Sequence, residues 1–118
     1  LAMLQRHGVA HVLNSWSRMP PLEEQLTVPG CLPAPFSAVR ALLKPGRTYQ
    51  DAVDTFQPYD RIREPLPGLR QALADTVLKC VKEDKKLYAY VNNRVEGNSP
   101  KTIEAILDIL ARYPFEKL

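Results

Sequence analysis

Cysteine is scarce in this chain, with only Cys31 and Cys80 among 118 residues, and neither sits in a CxxC or Cys/His ligand spacing. A disulfide framework and a cysteine-built metal site are therefore excluded as organising features. Two free thiols in a reducing compartment are expected, with a single Cys31–Cys80 bridge as the alternative. No run approaches the roughly 18 apolar residues of a membrane span, and no secretory signal is recognisable. A soluble, cytoplasmic protein without membrane association is expected. Glycine is not gathered into a phosphate-cradling loop, and no Ser/His/Asp arrangement or metal-ligand cluster is present. Neither a metal nor another cofactor is expected.

Charge of one sign is also lacking. Lys plus Arg number 16 against 13 Asp plus Glu, a net charge of +3, too small to argue for nucleic acid by itself. The only tight basic run, Lys85-Lys86, follows Glu83 and Asp84 and reads as a solvated helix end. What is present is an ordinary globular composition, 45% hydrophobic and 25% charged. The chain has enough apolar material for a core, and its length suits a single domain or part of a larger one.

Three units follow one another, each a short apolar strand, a polar loop and a helix. Before them, residues 1–7 read as the last turns of a helix capped by Gly8, with Met3 as an alternative start point. The first strand is "VAHVLNSW" (9–16), and "MPPLEEQL" (19–26) makes a brief helix that Pro20 and Pro21 can open. The second strand, "SAVRALL" (37–43), leads into a long loop (44–68). Loops of that length hold structure of their own or carry function. A helix over about 49–56 is predicted there, because Thr48 with Asp51 three residues on resembles a capping box.

The main helix of this unit is predicted over 69–84, with a stripe of Leu69, Leu73, Thr76, Val77, Cys80 and Val81. The third strand is "LYAYVNN" (87–93), and the last helix takes Ser99 as N-cap and Pro100 as its first residue, burying Ile103, Ile106, Leu107 and Leu110. Short apolar strands separated by helices predict a parallel α/β sheet covered on both faces. That order fits an open sheet or a βα barrel. A barrel needs eight strands and about 250 residues, so this chain is a small open three-stranded sheet or part of a barrel.

In either architecture the loops after the strands share one face, which carries the site. The strand ends offer Asn14, Ser15, Trp16 and Arg18, then Arg40, Lys44 and Arg47, then Asn92, Asn93, Arg94 and Glu96. Arg40 is the sharpest, a guanidinium inside the apolar strand "AVRALL". It must pair with a carboxylate from another strand or hold an anionic ligand by a bidentate fork. Asn92 and Asn93 offer donors and acceptors to a ligand or to loop backbone, and alternation along a strand lets only one reach a ligand.

Glu96 and Asp60 are the candidate acid/base residues, with a solvated surface position as the alternative for Glu96. Trp16 is a candidate stacking platform or a space filler. His11 reads as a hydrogen-bonded core histidine and His7 as a helix-end residue.

The order of "HVLNSWSRMPPLEEQL", "VRALLKPGRTY", "PYDRI" and "LYAYVNNRVEGNSPKTIEAIL" resembles the C-terminal part of the YecE-like family, domain of unknown function seventy-two, whose members are TIM-type barrels. The resemblance spans nearly the whole chain. It implies that residues 1–118 are the last three βα units of a (β/α)8 barrel, with Arg40, Gly46, Arg47, Tyr59, Asp60, Asn92 and Asn93 at patterned positions near the mouth. Where many members have a His before the Gly of the middle motif, this chain has Lys44 and Pro45, so a role for that His does not transfer. The missing surface would come from an N-terminal half or a second chain.

The family brings no settled activity, and the barrel makes an enzyme an expectation by analogy alone. The leading expectation is a site for an anionic or phosphorylated small molecule, with Arg40 and Arg47 as clamps and Asn92 orienting the ligand, suited to a hydrolase or isomerase. The alternatives are nucleic-acid binding through Arg18, Arg40, Arg47 and Arg94, with Trp16 or Tyr59 stacked on bases, and a non-catalytic assembly piece.

Overall fold

Ser37, Val39 and Ala41 alternate along one strand, β2 (Phe36–Ala41), and all three are buried. In the computed structural model, which describes residues 1–117, β2 is the centre of a parallel sheet of order β1-β2-β3, flanked by β1 (Val12–Ser15) and β3 (Lys86–Val91). The register sets Leu13 beside Val39 and Ala89, and Ser15 beside Ala41 and Val91. Paired residues share a face, so the small and aliphatic positions of all three strands point the same way.

That face carries the core. Helices α2 (Leu22–Leu26), α4 (Pro67–Lys82) and α5 (Ser99–Ala111) close over it, and Leu13, Val39 and Ala41 pack with Leu22, Leu73, Cys80, Val95 and Ile106. Among the described residues no helix lies on the opposite face. Phe36, Tyr88 and Tyr90 remain 42%, 52% and 60% exposed, so the sheet is covered on one face and not on both as the strand pattern predicted. The result is a slab of 43 × 33 × 18 Å, whose thinnest dimension is that of one helix layer on one sheet.

Local chemistry explains most boundaries. Helix α1 (Ala2–Arg6) ends at His7, and Gly8 follows at φ 63°, a left-handed value that glycine adopts without strain. The Thr48 hydroxyl caps α3 (Tyr49–Phe56) by accepting from the Asp51 N–H at 3.1 Å. Pro21 is the N-cap of α2 and lies just outside it rather than within its first turn. Asn98, not Ser99, caps α5, its Oδ1 accepting from the Lys101 N–H at 3.0 Å.

The buried stripe of α5 also differs from the expected one. Thr102 and Ile106 face inward, while Ile103 and Leu107 are exposed. The helix turns this way because the Thr102 hydroxyl donates at 2.6 Å to the buried carboxylate of Glu96, a bond that a stripe led by Ile103 would break. On α4 the expected Leu73, Thr76 and Cys80 are buried, and Val81 is exposed.

Cys31 and Cys80 are both free thiols in the same core cluster. Burial, and after it the nearby Glu83 carboxylate, pushes the Cys80 thiol above its ordinary pKa, which favours the unreactive protonated form. Labelling with Ellman's reagent at pH 7.5 should therefore be at least about a hundredfold slower in the native protein than in urea. Prompt labelling of the native chain would show that this core opens freely.

Candidate ligand-binding site

Alternation that buries Val39 and Ala41 turns Arg40 outward. The register then lines up Asn14, Arg40 and Tyr90 as one row across the open face. Past the strand ends, Trp16, Met19 and Leu42 join Asn14 and Arg40 around a cleft of 460 Å3. Three sequence candidates from two strands, Asn14, Trp16 and Arg40, thus meet in one place. A larger depression of 620 Å3 lies among Pro35, Phe36, Lys86 and Tyr88, where β2 and β3 begin. Crevices that take ligands in open parallel sheets lie at the carboxyl ends of the strands, which favours the Arg40 cleft.

The carboxylate that could have neutralised Arg40 from another strand is not there. Among the described residues Arg40 belongs to no ion pair, and its neighbours in the row are neutral. Its guanidinium keeps its donors for a ligand or for water. Trp16, 37% exposed, forms one wall, and the Arg18 guanidinium lies 6.0 Å from its ring centroid.

Asn14 is held by a residue that sequence reasoning missed. Gln25, buried on α2, accepts from the Asn14 N–H at 3.3 Å and donates to the Asn14 and Pro20 carbonyls at 2.7 Å. Its amide supplies the donor and the acceptor that a further strand would have supplied at this point of the β1 edge. The Asn14 side chain donates to the Val12 carbonyl at 3.2 Å. A lone Gln on the buried side of a short helix is the signal that could have pointed to this clamp.

The remaining candidates do not line the cleft. Arg47 joins Lys44, Pro45, Gly46 and Asp51 around a separate depression, so the expected pair of clamps is not assembled around one ligand. The Arg47 guanidinium pairs with Glu64 and lies 4.9 Å from the Phe56 ring centroid, while Lys44 bonds the same carboxylate at 3.0 Å. Both cations hold Glu64 below the usual carboxylate range through these hydrogen bonds.

Tyr59 packs against Leu43, Ala52 and Phe56, and its carbonyl accepts from Asn98 Nδ2 at 3.0 Å. It has φ 63° and follows the cis Gln57–Pro58 peptide. Asp60 is exposed, with Arg63 at 3.6 Å.

Both asparagines after β3 bond backbone N–H groups, Asn92 within the loop and Asn93 at the first residue of α5. Asn92 Oδ1 accepts from the Arg94 N–H at 2.9 Å, and Asn93 Oδ1 accepts from the Ser99 N–H at 2.8 Å. The sheet ladder runs one residue past β3 through the Asn92 N–H to the Ala41 carbonyl. That continuation puts Asn92 on the face of Arg40 and Asn93 on the helix face. Arg94 lies over the Tyr49 ring, 4.5 Å from its centroid.

Glu96 is neither a mouth residue nor a solvated one. It is fully buried, and its carboxylate accepts from Arg70 Nε and Nη2, from the Leu66 N–H and from the Thr102 hydroxyl. Such a carboxylate ties loops and helices together and presents no face to the cleft. Among the described residues no group of three or more His, Cys, Asp or Glu could hold a metal ion, and no helix is long and apolar enough to cross a membrane. No family model, curated protein or solved structure matches the chain.

Proposed function

We propose that the Arg40 cleft binds an anionic or phosphorylated small molecule, and that the chain forms the last three βα units of a YecE-like, TIM-type barrel with the open sheet face as its inner wall. The observation that carries the binding reading is Arg40 itself, a strand-borne guanidinium without a carboxylate partner beside Trp16 and the Asn14 side chain. The barrel reading is supported by the uncovered face, since parallel sheets normally bury both. A further strand at β1 would have to displace Gln25 from the Asn14 backbone. The reading stops at binding, because neither Asp60 nor Glu96 lines the cleft.

Trp16 is the sole tryptophan, so its emission reports on the cleft. Titration with inorganic phosphate, sugar phosphates and dicarboxylates is expected to give a saturable change with at least one of them. Arg40→Ala should weaken that binding by about tenfold to a hundredfold, the worth of a charge-assisted fork. Unchanged affinity of Arg40→Ala for every anion would end this reading. A steep loss of binding to single-stranded oligonucleotides with salt would favour the nucleic-acid alternative instead, and self-association at micromolar concentration would favour assembly.

A further inference from the structure

We propose, on the premise that the Arg40 cleft binds an anion, that its ligand is an aromatic phosphate, with a flat ring against Trp16 and the attached phosphoryl group on Arg40. The cleft measures 460 Å3, within the span of about 300–1,000 Å3 usual for small-molecule sites. A lone inorganic anion would leave most of it empty.

The lining is divided between one charged end and an apolar remainder. Arg40 is the only charged side chain in it and Asn14 the only other polar one, while Trp16, Met19 and Leu42 are apolar. Among the described residues neither Arg40 nor Arg18, whose guanidinium lies 6.0 Å from the Trp16 ring centroid, belongs to an ion pair. The charge selects an anionic end, and the apolar side chains select what that anion is attached to.

A polyol phosphate fits this lining poorly, because each hydroxyl taken out of water needs a hydrogen-bond partner. Beside Arg40 the cleft side chains offer only the Asn14 amide, whose Nδ2 already donates to the Val12 carbonyl at 3.2 Å. An aromatic ring needs no such partner on its faces, and it gains offset stacking against an indole and sulfur contact with a methionine.

The backbone sets these groups around one space. The turn after β1 closes with the Met19 N–H donating to the Trp16 carbonyl at 3.2 Å. Leu42, two residues past Arg40 and so on its side of the chain, is tied to the end of β1 through its N–H and the Ser15 carbonyl at 3.0 Å. Arg40 and Trp16 are themselves exposed, so both ends of the ligand meet accessible surface.

The test titrates the full chain, labelled with 15N, with inorganic phosphate, ribose 5-phosphate, phenyl phosphate and adenosine 5′-monophosphate, reading affinities from amide shifts. At least one of the two ring compounds is expected to bind about tenfold or more tighter than ribose 5-phosphate, the worth of one stacked ring, and to shift the Trp16 indole N–H. Trp16→Leu should abolish that preference, while Phe36→Leu, which removes a similarly exposed aromatic at the opposite ends of the strands, should keep it. Tighter binding of phenyl phosphate would set the ring directly beside the phosphoryl group, and tighter binding of adenosine 5′-monophosphate would make the ligand a nucleotide; either supports the proposal. Equal affinity for ribose 5-phosphate and both ring compounds, with Arg40→Ala still weakening all three, overturns the aromatic ligand and leaves the anion site standing. Loss of the preference in Phe36→Leu would put the ring elsewhere on the sheet and overturn it as well. No saturable binding of any probe, or Arg40→Ala without effect on any of them, ends both. Should Trp16→Leu fail to fold, the wild-type preference and its retention in Trp16→Phe still decide.

Discussion

Replacing Glu96 by Ala is expected to cost about 3–5 kcal/mol of stability, the range found when one partner of a buried ion pair is removed. The size follows from what the carboxylate holds. Arg70 approaches it as a fork, with Nε 2.8 Å from Oε2 and Nη2 3.1 Å from Oε1, while the Leu66 N–H and the Thr102 hydroxyl each donate at 2.6 Å. Truncation strands the Arg70 guanidinium, itself only 21% exposed, and leaves the Leu66 N–H at the start of α4 without an acceptor. Against a total of about 5–15 kcal/mol for a domain, the variant sits near the unfolding threshold.

Urea titration at pH 7 checks this through the midpoint, provided the slope is unchanged. Arg70→Leu should be similarly damaging, because it leaves the carboxylate buried, and the double variant should recover part of the loss. A cost below about 1 kcal/mol for Glu96→Ala would mean that water replaces the network and that the residue is not the staple described.

The same residue shows where sequence reasoning stops. In "VNNRVEGNSP" a Glu two residues past Arg94, beside Gly, reads as a loop carboxylate on the surface or at a site, because its partner Arg70 lies 26 positions away. Nothing local announces that contact. Thr48 and Asp51 were legible because cap chemistry is complete within four residues. Period-2 alternation places Arg40 on the face opposite Val39 and Ala41, but the apolar run "AVRALL" reads as a strand covered on both sides, so the openness of that face was not legible.

The α5 stripe failed for a tertiary reason. Ile103 and Leu107 score as core by hydropathy, yet Thr102 takes the inward position since Glu96 requires its hydroxyl. The two clamps predicted around one ligand, Arg40 and Arg47, part because Arg40 stays in the strand while Arg47 folds back under α3 onto Phe56 and Glu64. The loop's path, unlike the strand's periodicity, was not written in any short pattern.

Gly97→Ala is expected to be nearly as costly as the loss of Glu96, at about 3 kcal/mol or more. Gly97 has φ 121°, and a Cβ built there would lie 2.5 Å from the Arg61 carbonyl oxygen, 3.2 Å from the Arg63 nitrogen and 3.4 Å from Phe56 Cδ1. The facing backbone has little freedom to retreat, because the N–H groups of Arg63 and Glu64 both donate to the Glu96 carbonyl, at 2.9 and 3.2 Å. Backbone strain and collision therefore add. Gly8→Ala separates the two contributions, since Gly8 has φ 63° but a Cβ there meets nothing within 4 Å, so strain alone, about 1 kcal/mol, should appear. Thermal unfolding of the two variants beside the parent provides the comparison, with a drop of roughly 10 °C or more for Gly97→Ala and a few degrees for Gly8→Ala. Equal, small losses at both positions would show that the loop after β3 yields to a methyl group. The tight seating of that loop on residues 61–64, which fixes Glu96 below it and Arg94 above Tyr49, would then have to be given up.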